Sequence, residues 1–109
     1  MNVKELADKL GAEILTGDIN LDREVKNGYV GDLLSWVMSK AQQDDAWVTI
    51  MSNTNIVAVA VLTDVACIVL SEGVSPEEAT LEKAISQEVA ILKTELSSFD
   101  AACVIKECL

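Results

Sequence analysis

The chain contains no histidine, a single proline and only 4% aromatic residues. Without histidine, it lacks the most common general base and the most common metal ligand in proteins. With so few aromatic side chains, valine, isoleucine, leucine and alanine must form the core. This composition favours helices packed on a sheet over an aromatic-rich β-sandwich.

Basic residues are also scarce. The chain has 8 lysine and arginine residues against 18 acidic residues, which gives a formal net charge of −10. Nucleic acids and anionic membrane surfaces are bound through clustered lysine and arginine, and the few bases here are scattered along the chain. We therefore expect neither a nucleic-acid partner nor a membrane partner.

Hydrophobic residues suffice for a folded core but not for a membrane span. They make up 50% of the 109 residues, which predicts one domain over residues 1–109. The longest apolar run, Ile56–Leu62, is far shorter than the roughly 20 residues that cross a bilayer. Met1 is followed by no apolar leader segment, so we expect a cytoplasmic protein.

The three cysteines form an odd set without a signal sequence, which predicts reduced thiols. Cys103 and Cys108 are five residues apart and do not share a helical face, so they are poor paired metal ligands. We expect Cys67 and Cys103 in the core and Cys108 at the surface. No zinc site, iron–sulfur site or other cofactor is predicted.

Hydrophobic spacing and capping residues predict alternating strands and helices. Helices are predicted over 3–10 and 56–62 and after Asp32, Ser75 and Ser97, which are each predicted to cap the helix that follows. Strands are predicted over 13–16, 46–51, 65–70 and 90–94, and an extended segment over 22–30. The helix after Asp32 is predicted to have an apolar face of Leu33, Leu34, Val37, Met38 and Ala41, and the helix after Ser75 is predicted to bury Leu81, Ala84, Ile85 and Val89. The segment 56–62 is predicted to be a buried helix, and the last helix is predicted to run through Phe99, Ala102, Cys103 and Ile105. The order predicts an α/β fold, a small three-layer domain with a mostly parallel sheet.

Four segments carry a resemblance to a known family. They are Leu21-Asp22-Arg23, Gly28-Tyr29-Val30-Gly31-Asp32-Leu33-Leu34, Asn55-Ile56-Val57-Ala58-Val59-Ala60 and Ile68-Val69-Leu70-Ser71-Glu72-Gly73. Together they resemble the DRTGG domain family over nearly the whole chain. The resemblance implies a fold similar to the N-terminal domain of HPr kinase/phosphorylase, without its catalytic part, and no segment resembles a phosphate-binding loop of kinases.

The resemblance also implies a regulatory setting. Members of the family occur as small stand-alone proteins and as domains joined to CBS domains or to phosphotransacetylase-type enzymes. One position departs from the family, since Ser71-Glu72-Gly73 stands where Thr-Gly-Gly is common. A carboxylate at Glu72 would repel a phosphate that approaches this loop.

Two loops are candidate ligand sites because each follows a predicted strand, and open α/β sheets bind ligands at the carboxyl ends of their strands. The first holds Asn53, Thr54 and Asn55, uncharged side chains that either contact a ligand or cap a helix. The second holds Ser71 and Gly73, which either bind an anion or form a plain capped loop; the nearby glutamates favour the capped loop.

A second set of residues is predicted to serve an interface or a structural motif: Asp22, Arg23, Gly28, Tyr29, Asp32 and Trp36. Asp22 and Arg23 either bind a ligand, or else brace a turn or pair across a subunit interface, and we favour the latter two over ligand binding. Trp36 and Trp47 are either interface anchors or core residues.

No set of residues forms a catalytic constellation, so we expect a protein that is not an enzyme. The leading hypothesis is a non-catalytic regulatory or interaction domain that acts as a homodimer, presenting Trp36 and the segment 22–32 to its twin or to a protein partner. The alternative is a sensor that binds a nucleotide or metabolite near Asn53 and Ser71.

Overall fold

The structure, a computed structural model, describes all residues from Met1 to Leu109. Five helices alternate with five strands around one sheet. The elements are α1 (Val3–Leu10), β1 (Glu13–Ile14), β2 (Asn27–Val30), α2 (Leu34–Lys40), β3 (Asp45–Thr49), α3 (Asn55–Thr63), β4 (Cys67–Leu70), α4 (Glu78–Ser86), β5 (Ile91–Lys93) and α5 (Ser98–Glu107).

The strands lie in the order β1-β5-β4-β3-β2. The four strands from β5 to β2 are parallel, and β1 runs antiparallel to β5. Helices connect the parallel strands, as parallel neighbours require a crossover. The predicted α/β class with a mostly parallel sheet is therefore confirmed.

The side chains of the sheet alternate between two hydrophobic clusters, one on each face. Val48 and Val69 belong to the cluster under α1 and α5, whereas Trp47 and Ile68 belong to the cluster under α2, α3 and α4. Strands β3 and β4 are buried at every position, as expected for the centre of a parallel sheet covered on both sides.

Local signals at the first and last helices act as predicted. Asn2 and Glu5 form a reciprocal capping box, and Gly11 ends α1 in the left-handed conformation. Ser97 caps α5 by accepting a hydrogen bond from the Asp100 N–H at 3.0 Å. The ambiguous apolar segment after Thr54 is a helix, as predicted.

Two predicted caps are wrong because tertiary contacts take their place. The Asp32 carboxylate accepts hydrogen bonds from β3 and the residue after it, so α2 begins at Leu34 without a side-chain cap. Ser75 accepts a hydrogen bond from Lys93 at 2.9 Å, and α4 begins only at Glu78. Its start is fixed by the Ser52 carbonyl, which accepts from the Glu77 N–H and the Thr80 hydroxyl.

Several residues predicted to lie on apolar, buried faces are instead exposed, namely Leu33, Met38, Ile85 and Cys103, and Phe99 is exposed as well. In α5, the small Ala101 and Ile105 face the sheet, which turns Phe99 and Cys103 outward. Gly28 makes this close approach possible, since a Cβ there would lie 3.1 Å from the Ile105 Cγ2 atom. The side of α5 that carries Phe99 and Cys103 therefore faces away from the sheet.

Candidate functional site

The loop after β3 holds the first group of candidate ligand residues. The Asn53 side chain accepts a hydrogen bond from the Asn55 N–H at 2.9 Å, and Thr54 precedes α3 without a side-chain capping bond. Asn55 is exposed, and Thr54 is half-buried. The hydroxyl of Thr54 and the amide of Asn55 are thus available to a ligand at the carboxyl end of the sheet.

The loop after β4 is built differently, since its polar groups are used inside the protein. Ser71 is fully buried, and its hydroxyl lies 2.6 Å from the Ser98 hydroxyl. The backbone N–H groups of Ser71, Glu72 and Gly73 donate to the carbonyls of Thr49, Leu96 and Thr94, respectively. These three N–H groups are therefore unavailable to an anion.

Glu72 occupies the position where the family commonly has its middle glycine. Its φ is 59°, a left-handed conformation that glycine adopts without strain. The Glu72 carboxylate accepts a hydrogen bond from the Ser98 N–H at 3.1 Å, in the first turn of α5. The side chain therefore supplies a helix-capping contact that a glycine cannot make.

Gly73 is also left-handed, with φ 71°. A Cβ at this position would lie 2.9 Å from the carboxylate oxygens of Glu95. The exposed Glu95 side chain can move aside, so the glycine requirement here is conformational.

Arg23 lies at the opposite, amino-terminal end of the sheet, where it joins two loops. Its Nε donates to Asp44 at 3.0 Å, and its terminal nitrogen donates to the Asp64 carboxylate at 3.0 Å and to the Asp64 carbonyl at 2.6 Å. Lys26 adds a contact to Asp44 at 3.3 Å. Asp22 is exposed and takes no part in this cluster.

The charges of this cluster stabilise one another. The hydrogen bond from Arg23 lowers the pKa of Asp44, against the opposing effect of its partial burial. Burial works against the charge of Arg23, but its hydrogen bonds to Asp44 and Asp64 prevail and raise its pKa. Asp44 and Asp64 both have left-handed backbones, with φ 68° and 57°, so Arg23 holds two sharp turns together. This geometry is a brace between loops.

The segment Gly28–Asp32 comprises most of the outer strand β2 and the two residues that follow it. The Asp32 carboxylate accepts from the Thr49 hydroxyl at 2.7 Å and from the Ile50 N–H at 3.0 Å. The indole N–H of buried Trp47 donates to the Gly31 carbonyl at 3.0 Å. Asp32 thus holds the chain after β2 against the end of β3.

The two tryptophans have opposite environments. Trp47 is fully buried, whereas 59% of Trp36 is exposed on the outer side of α2. We define the neutral face as the exposed apolar side chains of α2, α3 and the loops beside them, namely Leu33, Trp36, Met38, Ile50, Val61 and Leu62. The ranges 33–43 and 46–63 contain no acidic residue.

Sequence reasoning placed Val61 and Leu62 within a buried helix and so missed their part in this face. Both are more than half exposed, at 51% and 65%. The signal that marks the surface is the absence of acidic residues over such long segments of a strongly acidic chain.

The remaining chemistry of the molecule is limited. No group of three potential ligand side chains is close enough to hold a metal ion, and no helix is long and apolar enough to span a membrane. All three cysteines are unpaired, and Cys103 is exposed rather than buried as predicted. Burial raises the pKa of the Cys67 thiol to about 12, so this thiol is unreactive in the folded protein.

Comparison with solved structures finds proteins of similar fold. The structure superposes with a TM-score of 0.80 on the CBS and DRTGG domains of the regulatory region of Clostridium perfringens pyrophosphatase, complexed with its activator diadenosine tetraphosphate. The two sequences are 20% identical, and the match covers 99% of this chain and 47% of that chain. This chain therefore spans less than half the length of that regulatory region.

At the sequence level, no curated protein matches the chain. The family profile of the DRTGG domain matches residues 5–108, which includes all five strands and both loops described above. With nearly every residue inside that match, the chain belongs to the DRTGG domain family.

Proposed function

We propose that this protein is a non-catalytic regulatory domain that acts as a homodimer through its neutral face. The observation that carries the proposal is α3, whose nine residues include no charged side chain. A helix that is apolar on all sides is normally covered on all sides. In the monomer, however, Ala58, Val61 and Leu62 face solvent.

The charge distribution supports a second copy as the cover. Two molecules that each carry a net charge of −10 repel each other wherever acidic surfaces meet. The neutral face avoids this repulsion, because Lys40 is the only charged residue in the acid-free ranges around it. Trp36 stands in this face as an exposed aromatic anchor of the kind that dominates interfaces.

The setting of the domain follows from two further observations. The solved relative is described as a regulatory region, which supports a regulatory rather than a catalytic role for this fold. Three unpaired thiols support a reducing compartment, the cytoplasm.

Sedimentation equilibrium across micromolar concentrations tests the homodimer. We expect the unmodified chain to sediment as a dimer. Leu62→Lys should weaken association by more than about ten-fold, because it would bury an unpaired ammonium group in an apolar interface. Phe99→Lys is the matched control, since Phe99 is 77% exposed on α5, on the other side of the sheet, and should leave the dimer intact.

A monomer at the highest concentration would contradict the proposal. So would a dimer that dissociates equally with Leu62→Lys and Phe99→Lys, since that result would place the interface elsewhere. Circular dichroism of each variant establishes that the fold itself is retained.

A second candidate function is supported by the loop after β3. The fold relative was solved with the activator diadenosine tetraphosphate, and in this chain Thr54 and Asn55 leave polar groups available at the carboxyl end of the sheet. We propose, as the alternative, that the domain senses a nucleotide at this loop. The internal hydrogen bonds of the Ser71–Gly73 loop limit such a site to the Asn53–Asn55 side.

Thermal denaturation with diadenosine tetraphosphate, ATP and GTP tests this alternative. A ligand at 100 times its dissociation constant stabilises a protein by roughly 2.7 kcal/mol, which raises the melting temperature of a small domain by about 10 °C. Asn55→Ala should abolish the shift, whereas the control Gln87→Ala should preserve it, because Gln87 is an exposed amide at the far end of α4. No shift with any nucleotide would reject nucleotide sensing.

A further inference from the structure

An apolar groove lies between the outer strand and the last helix. Its volume is about 270 Å³, and six of its nine lining residues are hydrophobic. Val30 and Val48 of the sheet and Ile105 and Leu109 at the end of α5 form much of its wall. Gly28 leaves the sheet side of the groove open, since a larger side chain there would contact Ile105.

The strand that borders this groove has an unpaired outer side. β2 is the last strand of the sheet, hydrogen-bonded to β3 alone. The Gly31 N–H points inward to the Val48 carbonyl at 3.1 Å. Because successive backbone groups of a strand alternate in direction, the Val30 N–H points outward. Such an edge is a template for one more strand.

The charge of the groove defines the kind of segment that fits. None of the side chains that line it is acidic, in a chain with 18 acidic residues, and Lys106 is its one charged side chain. Lys106 forms no salt bridge within the protein, whereas the other bases near this edge, Arg23 and Lys26, are held by Asp44. A negatively charged group on the incoming segment would therefore find an unpaired ammonium group.

We propose that β2 and this groove bind an extended segment of a partner protein that adds to the sheet as a sixth strand. The segment places an apolar side chain between Val30 and Ile105 and a carboxylate beside Lys106. β2 has four residues, so the paired length is about 13 Å, the span of a short linear motif. This site lies on the edge of the sheet and is independent of the dimer proposed at the neutral face.

A second copy of this chain fits the edge less well. Its own β2, Asn27–Val30, offers no carboxylate to Lys106. A symmetric pairing of the two edges uses the same residues from both copies, so neither β2 edge would supply a carboxylate to the Lys106 of the other copy. The partner segment is therefore an apolar peptide with an acidic group or a free carboxyl terminus.

The probe is a six-residue peptide of alternating valine and serine that ends in leucine with a free carboxylate. Titration of the isotope-labelled protein should shift the backbone amide signals of Gly28, Val30 and Ile105 in nuclear magnetic resonance spectra. N-methylation of alternate peptide amides should weaken binding by about ten-fold through loss of the strand hydrogen bonds. Amidation of the peptide carboxylate should weaken it by about three-fold.

Protein variants separate the two parts of the site. Val30→Pro removes the outward N–H and should weaken binding as N-methylation does, since proline is tolerated on an edge strand. Lys106→Gln should weaken binding as peptide amidation does. Lys83→Gln is its control, because both lysines lie in the last turn of a helix but Lys83 lies on α4.

Several results would overturn the proposal. The first is the absence of shifts at millimolar peptide, and the second is equal binding of the N-methylated peptide. The third is protection of the β2 amides that grows with protein concentration alone, because that result would assign the edge to a second copy. None of these results bears on the oligomeric state of the Leu62→Lys variant. The strand-addition proposal and the dimer proposal can therefore fail independently.

Discussion

The two ends of the parallel sheet are held by different chemistry. At the amino-terminal end, Arg23 joins Asp44 and Asp64 through charged hydrogen bonds. At the carboxyl-terminal end, the strand connections meet through hydrogen bonds with the hydroxyl groups of Thr49 and Ser71. One end is therefore braced by ion pairs, and the other end is held by hydrogen bonds of hydroxyl groups.

This difference fits the roles expected of the two ends. In open α/β sheets, ligands bind at the carboxyl ends of the strands, so that end must present groups to a partner. A brace of ion pairs at the other end fixes the spacing of β2, β3 and β4 without occupying that surface. The neutral face reaches both ends of the sheet. Leu33 and Ile50 flank the contact made by Asp32 at the carboxyl end, whereas Val61 and Leu62 lie at the end of α3, close to Asp64 of the brace.

The largest effect is expected from breaking the brace. Arg23→Ala leaves the partly buried Asp44 carboxylate with only the exposed Lys26, and we expect a loss of about 3 kcal/mol in the free energy of unfolding. Urea denaturation measures this loss. Lys26→Ala is the control, with an expected loss below about 1 kcal/mol because its contact is exposed. Equal losses would mean that Arg23 is not the centre of the brace.

At the carboxyl end, we expect Asp32→Ala to cause a smaller loss in the free energy of unfolding. The variant deprives the Thr49 hydroxyl and the Ile50 N–H of their shared acceptor, and we expect about 1.5 kcal/mol by urea denaturation. Asp22→Ala, an exposed carboxylate in no salt bridge, should change stability little. An effect of Asp32→Ala as large as that of Arg23→Ala would remove the contrast between the two ends.

A pH titration distinguishes two neighbouring carboxylates at the braced end, because their pKa values are shifted in opposite directions. Burial raises the pKa of Asp45, whose Oδ1 has no hydrogen-bond partner, while Arg23 lowers the pKa of Asp44. Asp44 therefore contributes stability that is present above its ordinary pKa and is lost as the pH falls through its folded value. Asp45 does the reverse, since its contribution is lost as the pH rises through its folded value.

Asp45→Asn removes the unfavourable member of this pair. We expect the variant to be more stable than the parent at neutral pH and to lose that advantage in acid, as followed by urea denaturation from neutral pH to pH 3. Asp44→Asn should be destabilised at neutral pH over the same titration. A parent and an Asp45→Asn variant with equal stability at neutral pH would show that the Asp45 charge is adequately solvated.

The smallest effect is expected at Glu72, where two terms oppose each other. Glu72→Gly removes a left-handed non-glycine residue, a gain of about 1 kcal/mol, but also removes the contact to the Ser98 N–H, a loss of similar size. The net change in unfolding free energy should be close to zero. Glu72→Ala retains the strain and loses the contact, so it should be the less stable variant. The reverse order in thermal denaturation would contradict this balance.

Local sequence signals predicted the order of the elements well. Alternating apolar segments gave the strands, and reciprocal capping between Asn2 and Glu5 marked the first helix because both partners are three residues apart. The family resemblance in the segments around Arg23, Gly28 and Ser71 is confirmed by the match over residues 5–108. These features depend on contacts that are close in sequence or on a pattern shared by relatives.

The errors came from contacts that are distant in sequence. Asp32 has the residue type of a helix cap, yet its acceptors are used by Thr49 and Ile50, 17 and 18 residues away. Phe99 is apolar, yet the space over the sheet is taken by Ile105 against Gly28. Periodicity identifies an apolar helix but does not say which of its sides meets the sheet.

The place of the two candidate loops in the fold could be predicted, but their hydrogen bonds could not. The rule that ligands bind after parallel strands pointed to Asn53 and Ser71, and both do lie at that end of the sheet. Nothing in the sequence indicates that Ser71 bonds to Ser98 or that the amides of its loop donate to other carbonyls. Asn53–Asn55 thus remains the predicted ligand loop, and the neutral face emerged only from the arrangement of α2 and α3.

The rate at which a reagent modifies the fully buried Cys67 would report the rate of global unfolding of the domain. Its side chain lies at the centre of the sheet, and its thiol is both inaccessible and fully protonated at neutral pH. Cys103, by contrast, is open to solvent. A thiol reagent should therefore modify Cys103 in the folded protein and react with Cys67 only in molecules that have unfolded. The delay between the two modifications, read by mass spectrometry, reports how often the folded chain opens.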